Sequence, residues 1–175
     1  MVQNKDTQKM NPMRQIRIEK ITLNIGAGKD EDLLKRGLKL FQKLAPNKPV
    51  KTITQKRIPG WGLRPGLAIG CKVTVRKNSE GLLKRLLAAK KNILSERNFD
   101  NQGSFSFGLP EYIDIQGMDY DPELKIMGLE VAVTLTRRGY RIKQRRIKTV
   151  PVGKAHQITK EEAIDFARQL GVEVQ

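Results

Sequence analysis

Two segments of this chain alternate apolar and polar residues with a period of two. In 69–76, Ile69, Cys71, Val73 and Val75 fall on one face and Gly70, Lys72, Thr74 and Arg76 on the other. In 129–136, Leu129, Val131, Val133 and Leu135 alternate with Glu130, Ala132, Thr134 and Thr136. Period two is the signature of a strand with one buried face. A parallel sheet covered on both sides reads instead as continuous apolar runs, so these strands belong to an antiparallel sheet with one wet face. Phe105, Phe107 and Leu109 repeat the pattern against Ser104, Ser106 and Gly108. Ile16, Ile18, Ile21, Leu23 and Ile25 repeat it with a phase slip at Glu19–Lys20, which reads as a bulge.

Between these strands the period changes. Asp30, Glu31 and Asp32 suit the positive end of a helix, and Leu33, Leu34, Leu38, Phe41 and Leu44 follow at helical spacing until Pro46. Ser79 reads as the cap of a second helix, with Leu82, Leu83, Leu86, Leu87 and Ile93 as its apolar stripe. Thr159 to Glu162 is a capping box opening a third helix, with Ala163, Phe166, Ala167 and Leu170 inward and Gly171 at its end. Residues 50–56 read as a short strand, 58–70 as a long Gly/Pro loop, and Ile113 and Ile115 as extended structure. The fold class expected is α+β, a mostly antiparallel sheet with helices packed on one face. Residues 1–13 read as a flexible polar tail, and 14–175 as a single domain with a basic loop over 137–157.

Charge bears on partners. Lys and Arg number 34 against 18 Asp and Glu, a net charge of +16 on 175 residues. Sixteen of those cations lie between Lys35 and Lys91 with Glu80 as the one acid, and RRGYRIKQRRIK (137–148) carries seven with none. Uncompensated like charges repel and weaken the compact state, a cost that a polyanion removes. Each cluster taken alone also reads as a solvated surface. No stretch approaches the roughly 18 apolar residues of a membrane span. The N-terminal residues lack an apolar signal core. A cytoplasmic, nucleic-acid-binding chain with no membrane partner is expected.

Catalytic and metal chemistry find little support. NIGAGKD (24–30) has Leu23 and Asp30 where a phosphate-binding P-loop needs Gly and Ser or Thr, and no third Gly for a dinucleotide fingerprint. The plain reading is a glycine turn from strand to helix. Cys71 alternates with Ile69 and Val73 as a buried apolar residue, and His156 has no ligand at metal spacing. Asp119, Asp121 and Glu123, in the acidic stretch 111–123, lack the Gly and distant Glu of a calcium loop and read as a solvated turn or a protein contact. No nucleophile–base pair is visible. No enzyme, cofactor or metal site is expected.

The wet face of the sheet is the better candidate. Lys72, Thr74 and Arg76 lie on it, and either Lys51, Ile53 and Gln55 or Thr52 and Thr54 would join them if 50–56 pairs with 69–76. Cations hold phosphates there, while Thr, Asn and Gln bond sugar hydroxyls or base edges. Central stacking aromatics are missing, which favours folded RNA read by shape and backbone over single strands. A hydrated face without a ligand is the bland alternative. Trp61, the only tryptophan, sits in the Gly/Pro loop near Arg57 and Arg64, as either a core anchor or a contact residue.

The runs NIGAG, NKPVKTITQKRIPGWGLRPGLAIGCKVTVRK (47–77), FSFGLPEYI (105–113) and MGLEVAVTLT (127–136) resemble the family of large-subunit ribosomal protein number five, the 5S-ribosomal-RNA-binding proteins of the central protuberance. The likeness runs from residue 13 to residue 137. RRGYRIKQRRIK and PVGKAHQIT (151–159) look like the archaeal form, and the short N-terminus departs from the bacterial pattern. The resemblance implies binding to 5S and 23S ribosomal RNA and contacts with neighbouring large-subunit proteins. It also implies an intersubunit bridge to a small-subunit ribosomal protein, and a loop, 57–67 here, reaching peptidyl-site (P-site) transfer RNA. The family's RNA contacts map onto Asn24, Asn47 and Thr74, although Asn47 stands where bacterial relatives carry the longer Gln. With the sheet-face reading, the ribosomal-RNA set becomes Asn24, Asn47, Thr74, Lys51, Thr52, Gln55, Lys72 and Arg76. The transfer-RNA loop presents Arg57, Trp61, Arg64 and Pro65. The basic loop offers Arg137, Arg138, Arg141, Lys143, Arg145, Arg146 and Lys148 to the small subunit or to RNA. The alternative is a free-standing, non-ribosomal binder of structured RNA; a small phosphate-ester enzyme using the Gly26–Gly28 turn is the more distant rival.

Overall fold

A computed structural model describes residues 11–175. The chain runs β1 (Ile16–Gly26), α1 (Glu31–Leu44), β2 (Val50–Ile53), β3 (Ala68–Val75), α2 (Ser79–Ala89), β4 (Ile93–Leu94), β5 (Phe105–Leu109), β6 (Leu129–Arg137), α3 (Lys160–Gln169) and β7 (Glu173–Val174). Five strands form one sheet in the order β2-β3-β1-β6-β5, every pair antiparallel. The α+β expectation holds. The phase slip in β1 is a bulge, with the register against β6 shifting between Ile18 and Lys20. The tail expected over 1–13 falls largely on residues outside those described; Asn11 to Arg14 form a turn, the Arg14 N–H donating to the Asn11 carbonyl (2.8 Å).

The apolar face of the sheet is the floor of the core. Ile21, Leu23 and Ile25 of β1, Cys71, Val73 and Val75 of β3, Val131 and Val133 of β6 and Phe105 and Phe107 of β5 are all buried. α1 covers β3 and β1 with Leu34, Leu40, Phe41 and Leu44. Each such side chain fully removed from water contributes about 1.5–3 kcal/mol. The Asp30 carboxylate starts α1 by accepting the N–H groups of Asp32 (2.9 Å) and Leu33 (3.1 Å). Gly37 is what lets the helix sit so low, because a Cβ there would lie 2.9 Å from Cys71 Sγ. The capping box of α3 forms as expected: Thr159 Oγ1 accepts from Glu162 N–H, and the Glu162 carboxylate accepts from Thr159 N–H (3.1 Å).

Several local expectations are corrected. Asn78, not Ser79, holds the N-cap position of α2, without a side-chain hydrogen bond to the helix; its φ of 52° turns the chain sharply between β3 and the helix, and Ser79 is a buried first residue. Ile93 is not part of the α2 stripe. Lys91 and Asn92 both take left-handed φ values (59° and 57°), which ends the helix and sends Ile93 into β4. β4 pairs in parallel with β7, a two-stranded sheet too short to leave a period in the sequence. Ile113 and Ile115 lie in turns closed by Ile115 N–H to the Tyr112 carbonyl (3.2 Å), not in extended chain. β2 ends at Ile53 rather than at residue 56.

Candidate nucleic-acid interface

Opposed residues in an antiparallel pair share a face. The register therefore composes the wet side of the sheet residue by residue. Val50 lies against Lys72 and Thr52 against Gly70; Lys72 lies against Asn24 and Thr74 against Thr22. Asn24 then meets Glu130, Thr22 meets Ala132 and Lys20 meets Thr134, while Ser106 closes the row beside Ala132. Lys72, Glu130, Ala132 and Ser106 are exposed, so no helix among the described residues covers this side. Thr22, Thr52, Thr74, Thr134 and Ser106 give five hydroxyls, each able to donate and to accept. Lys20, Lys72 and the adjoining Arg76 bring positive charge; Glu130 is the carboxylate among these residues. Short hydroxyl side chains thus alternate on this surface with longer charged ones.

The register decides between the two sets considered for β2. Thr52 shares the wet face; Lys51 pairs with Cys71 and stands on the helix side at the sheet edge. Gln55 lies beyond the ladder with an exposed side chain, and Thr54 is buried. Asn24 and Thr74 both lie on the wet face, and Asn47 reaches its edge, with Nδ2 donating to the Thr74 carbonyl (2.9 Å). Asn24 Nδ2 donates to Glu130 Oε2 (2.9 Å), leaving its amide oxygen for a ligand. The residues missed in the sequence, Lys20, Thr22, Ser106, Glu130 and Thr134, carried the same period-two signal. What was lacking was the strand order that sets them side by side.

The 57–67 loop is an ordered hairpin tip. Ile58 and Leu63 exchange N–H···O bonds (3.1 and 3.0 Å), and Thr54 N–H donates to the Leu67 carbonyl (2.9 Å). Between them Pro59–Trp61 form one 3₁₀ turn, ended by Gly62 at φ 61°. Leu63 is the buried anchor; Trp61 is 71% exposed. Trp61 is therefore not a core anchor. Arg57, Arg64 and Pro65 are exposed around it.

The basic segment folds back beside the Thr134 end of the sheet, where Ser104, Thr134, Tyr140, Lys143 and Gln157 line a common cleft. Tyr140 is its pin, donating to the His156 carbonyl (3.1 Å) and accepting from Ile158 N–H (3.0 Å). Burial pushes its phenol pKa up despite the opposing Ile158 N–H and Arg137 charge, so it stays neutral. Lys143 Nζ sits 4.8 Å from the Tyr140 ring centre, a cation–π contact. His156 is a structural residue, its Nε2 2.9 Å from the Arg138 carbonyl. Arg138, Arg141, Lys143, Arg145, Arg146 and Lys148 are exposed, and none has a carboxylate within ion-pair distance among the described residues.

Arg137 leaves this group. It is 4% exposed, donating to the His156 and Gln157 carbonyls (3.3 and 3.1 Å) and pairing with Glu162 (2.6 Å). It staples β6 to the approach of α3 and has no surface to offer a partner. The acidic stretch is likewise not a purely solvated turn. Asp121 pairs with Lys43 (2.6 Å) and Glu123 with Lys39 (2.7 Å), both on α1.

The glycine turn is already occupied. Ala27 and Gly28 N–H both donate to the Ile69 carbonyl (2.8 and 3.0 Å), and the Asp30 carboxylate fills the start of α1 where a phosphate would sit. Cys71 is fully buried, its thiol pKa pushed up to about 11 by desolvation, so it is no nucleophile. Among the described residues no three His, Cys, Asp or Glu side chains are grouped to hold a metal ion.

Residues 11–64 match the family described as ribosomal protein L5, and residues 68–166 match the C-terminus of that same ribosomal family. The large ribosomal subunit protein uL5 of Nanoarchaeum equitans is 48% identical over 94% of this chain and 98% of its own length. Its counterparts in Sulfurisphaera tokodaii and Nitrosopumilus maritimus are 43% and 42% identical, each over 94% of this chain and over 94% and 96% of their own lengths. The chain belongs to the ribosomal protein L5 family.

Membership makes it a structural, non-enzymatic component of the large ribosomal subunit, of the archaeal form, and so a cytoplasmic ribosomal protein. The free-standing and phosphate-ester-enzyme readings fall with it. No helix among the described residues is long and apolar enough to cross a membrane. The two L5 matches meet at the hairpin tip, between Arg64 and Ala68, so the wet face draws Asn24 and Thr52 from one and Lys72, Thr74 and Glu130 from the other.

Proposed function

We propose that this L5 protein binds 5S ribosomal RNA through the wet face of its sheet. The observation that carries the reading is convergence. Asn24, Asn47 and Thr74, far apart in sequence, meet on or at the edge of one uncovered surface with Thr22, Thr52 and Lys72. Hydroxyls and amides there address 2′-hydroxyls and base edges, and Lys20, Lys72 and Arg76 address phosphates. Lys51 and Gln55, off this face, take at most a peripheral phosphate or sugar contact.

Filter binding against 5S RNA tests the reading. Lys72→Ala should lower the slope of log K against log salt by about 0.7–0.9, one phosphate contact. Thr74→Ala should weaken binding without changing the slope. Wild-type behaviour from both variants would put the RNA on another surface.

The same reading assigns the hairpin tip, with Trp61 outward between Arg57, Arg64 and Pro65, to P-site transfer RNA. The six exposed cations from Arg138 to Lys148 go to 23S RNA and to a small-subunit protein across an intersubunit bridge. Shortening the 138–148 segment should weaken subunit joining; unchanged joining would leave that segment an RNA anchor alone.

A further inference from the structure

The lysine stripe of α1 and the cations of the wet face differ in their partners. On the outer side of α1, Lys35, Lys39 and Lys43 repeat every four residues, one stripe with charges about 6 Å apart. By charge and spacing this ridge is as good a phosphate binder as anything on the sheet. Yet all three are paired: Lys35 with Asp32 (3.4 Å), Lys39 with Glu123 (2.7 Å) and Lys43 with Asp121 (2.6 Å). Lys20, Lys72 and Arg76 at the wet face, and the six exposed cations of the basic segment, have no such partner among the described residues. Eighteen acids serve 34 cations, and three of them are spent on this stripe.

Two of the three come from far along the chain and are held in place before any RNA arrives. Asp121 opens a turn in which its Oδ1 accepts Glu123 N–H (2.9 Å), its carbonyl accepts from Leu124 and Lys125, and its own N–H donates to Tyr112 Oη (3.0 Å). Tyr112 is fully buried, so the turn is fixed to the core. The Lys43 ammonium holds the Asp121 carboxyl below its usual range, and the carboxylate in turn raises the Lys43 pKa, so both partners stay charged at neutral pH.

We propose that Asp121 and Glu123 are specificity-determining residues that neutralise the α1 ridge, so that RNA is drawn to the sheet face and not to that ridge. The inference rests on the RNA-binding reading above. An unmasked ridge would hold any phosphodiester chain, regardless of shape, and would compete with the one productive orientation.

The test uses the full chain, 5S RNA and an oligouridylate as the non-cognate probe. Asp121→Asn/Glu123→Gln removes the two charges while the amide keeps the oxygen that accepts Glu123 N–H. Two newly available phosphate sites should steepen the salt slope for oligouridylate by about 1.4 and raise its affinity by up to about 25-fold at 0.1 M salt. Affinity for 5S RNA should stay unchanged. Glu123→Gln alone, which leaves the Asp121 turn untouched, should give about half that slope increase. Asp114→Asn/Asp119→Asn makes the same change in net charge on acids without ion pairs among the described residues and should leave the slope unchanged.

An oligouridylate slope unchanged in the folded double variant would overturn the proposal. So would an equal gain from the Asp114/Asp119 control, because net charge alone would then explain it. Failure of the wild type to prefer 5S RNA would sink the binding reading but not the masking, which the oligouridylate comparison reads separately.

Discussion

Arg137 offers the sharpest stability test, because the structure predicts an unequal response from the two members of one ion pair. Arg137→Met keeps the bulk and removes the charge. The His156 carbonyl keeps its bond from Tyr140 Oη, so only the Gln157 carbonyl loses its donor in that pair of contacts. Glu162 is 40% exposed on its side chain and recovers water. The variant also removes Arg137 Nε, a buried N–H without a partner. An orphaned carbonyl and a half-wet ion pair, offset by the loss of an orphaned donor, leave a net cost of about 2 kcal/mol. Glu162→Gln does the reverse. It keeps the capping box, since Gln serves there, but leaves the buried Arg137 guanidinium, 5% exposed, without its counter-charge and with the His156 and Gln157 carbonyls as its remaining partners. Breaking a buried pair this way costs about 3–5 kcal/mol. At about 2–4 °C per kcal/mol for a chain of this size, the expected Tm losses are about 6 °C and roughly 12 °C. The double variant should lie above Glu162→Gln alone. Thermal and urea denaturation of the three variants reads this order. A Glu162→Gln protein more stable than Arg137→Met would refute the reasoning, showing that the buried charge is balanced from elsewhere. Arg137→Met should also leave the salt slope of 5S RNA binding untouched, unlike Lys72→Ala, which should lower it by about 0.7–0.9.

Three further outcomes are expected. Gly37→Ala should destabilise by about 1–3 kcal/mol through overpacking on Cys71, more than its gain in helix propensity of about 1 kcal/mol, and Cys71→Ala in that background should restore part of the loss; a stabilised single variant would show that α1 rides higher on the sheet. Cys71, with its pKa raised to about 11 by burial, should resist alkylation at pH 8 in the native protein and react on unfolding, read by mass spectrometry. Leu33 N–H holds Asp30, Lys160 holds Glu96, and Lys43 holds Asp121 below their ordinary values; at Glu162 burial pushes upward, but the Thr159 N–H and Arg137 outweigh it. Depressed carboxylates stabilise the fold above their unfolded values of 3.8 and 4.5 and lose that contribution as pH falls through the lower folded ones. The urea midpoint should therefore be level from neutrality down to pH 5 and fall below about 4.5.

Much of the sheet was legible because a half-buried strand writes its two faces into alternate positions. That held for β3, β5 and β6, and even for the β1 bulge, where the slip at Glu19–Lys20 marked the extra residue. α3 was legible because a capping box is a local device. The features that escaped notice were set by distant contacts or by backbone angles. Asn78, Lys91 and Asn92 end and start elements through left-handed φ values that leave no composition signal. β4 and β7 are two residues each and exist because the chain end docks beside Ile93. Lys51 and Thr52 could not be sorted without the β2–β3 register. Arg137 looked like six neighbouring surface cations, and only the fold of 153–162 across it makes it a buried strut. The partners of Lys39 and Lys43 lie 84 and 78 residues away, beyond any pattern of spacing.

The central claim is that RNA docks on the uncovered side of the sheet. Amide chemical-shift mapping of the isotope-labelled protein during titration with 5S RNA addresses it residue by residue. The account predicts the largest shifts at Thr22, Asn24, Thr52, Lys72, Thr74 and Ser106, with α1 from Lys35 to Lys43 quiet. Shifts concentrated on α1 and α2, with those six positions silent, would contradict it.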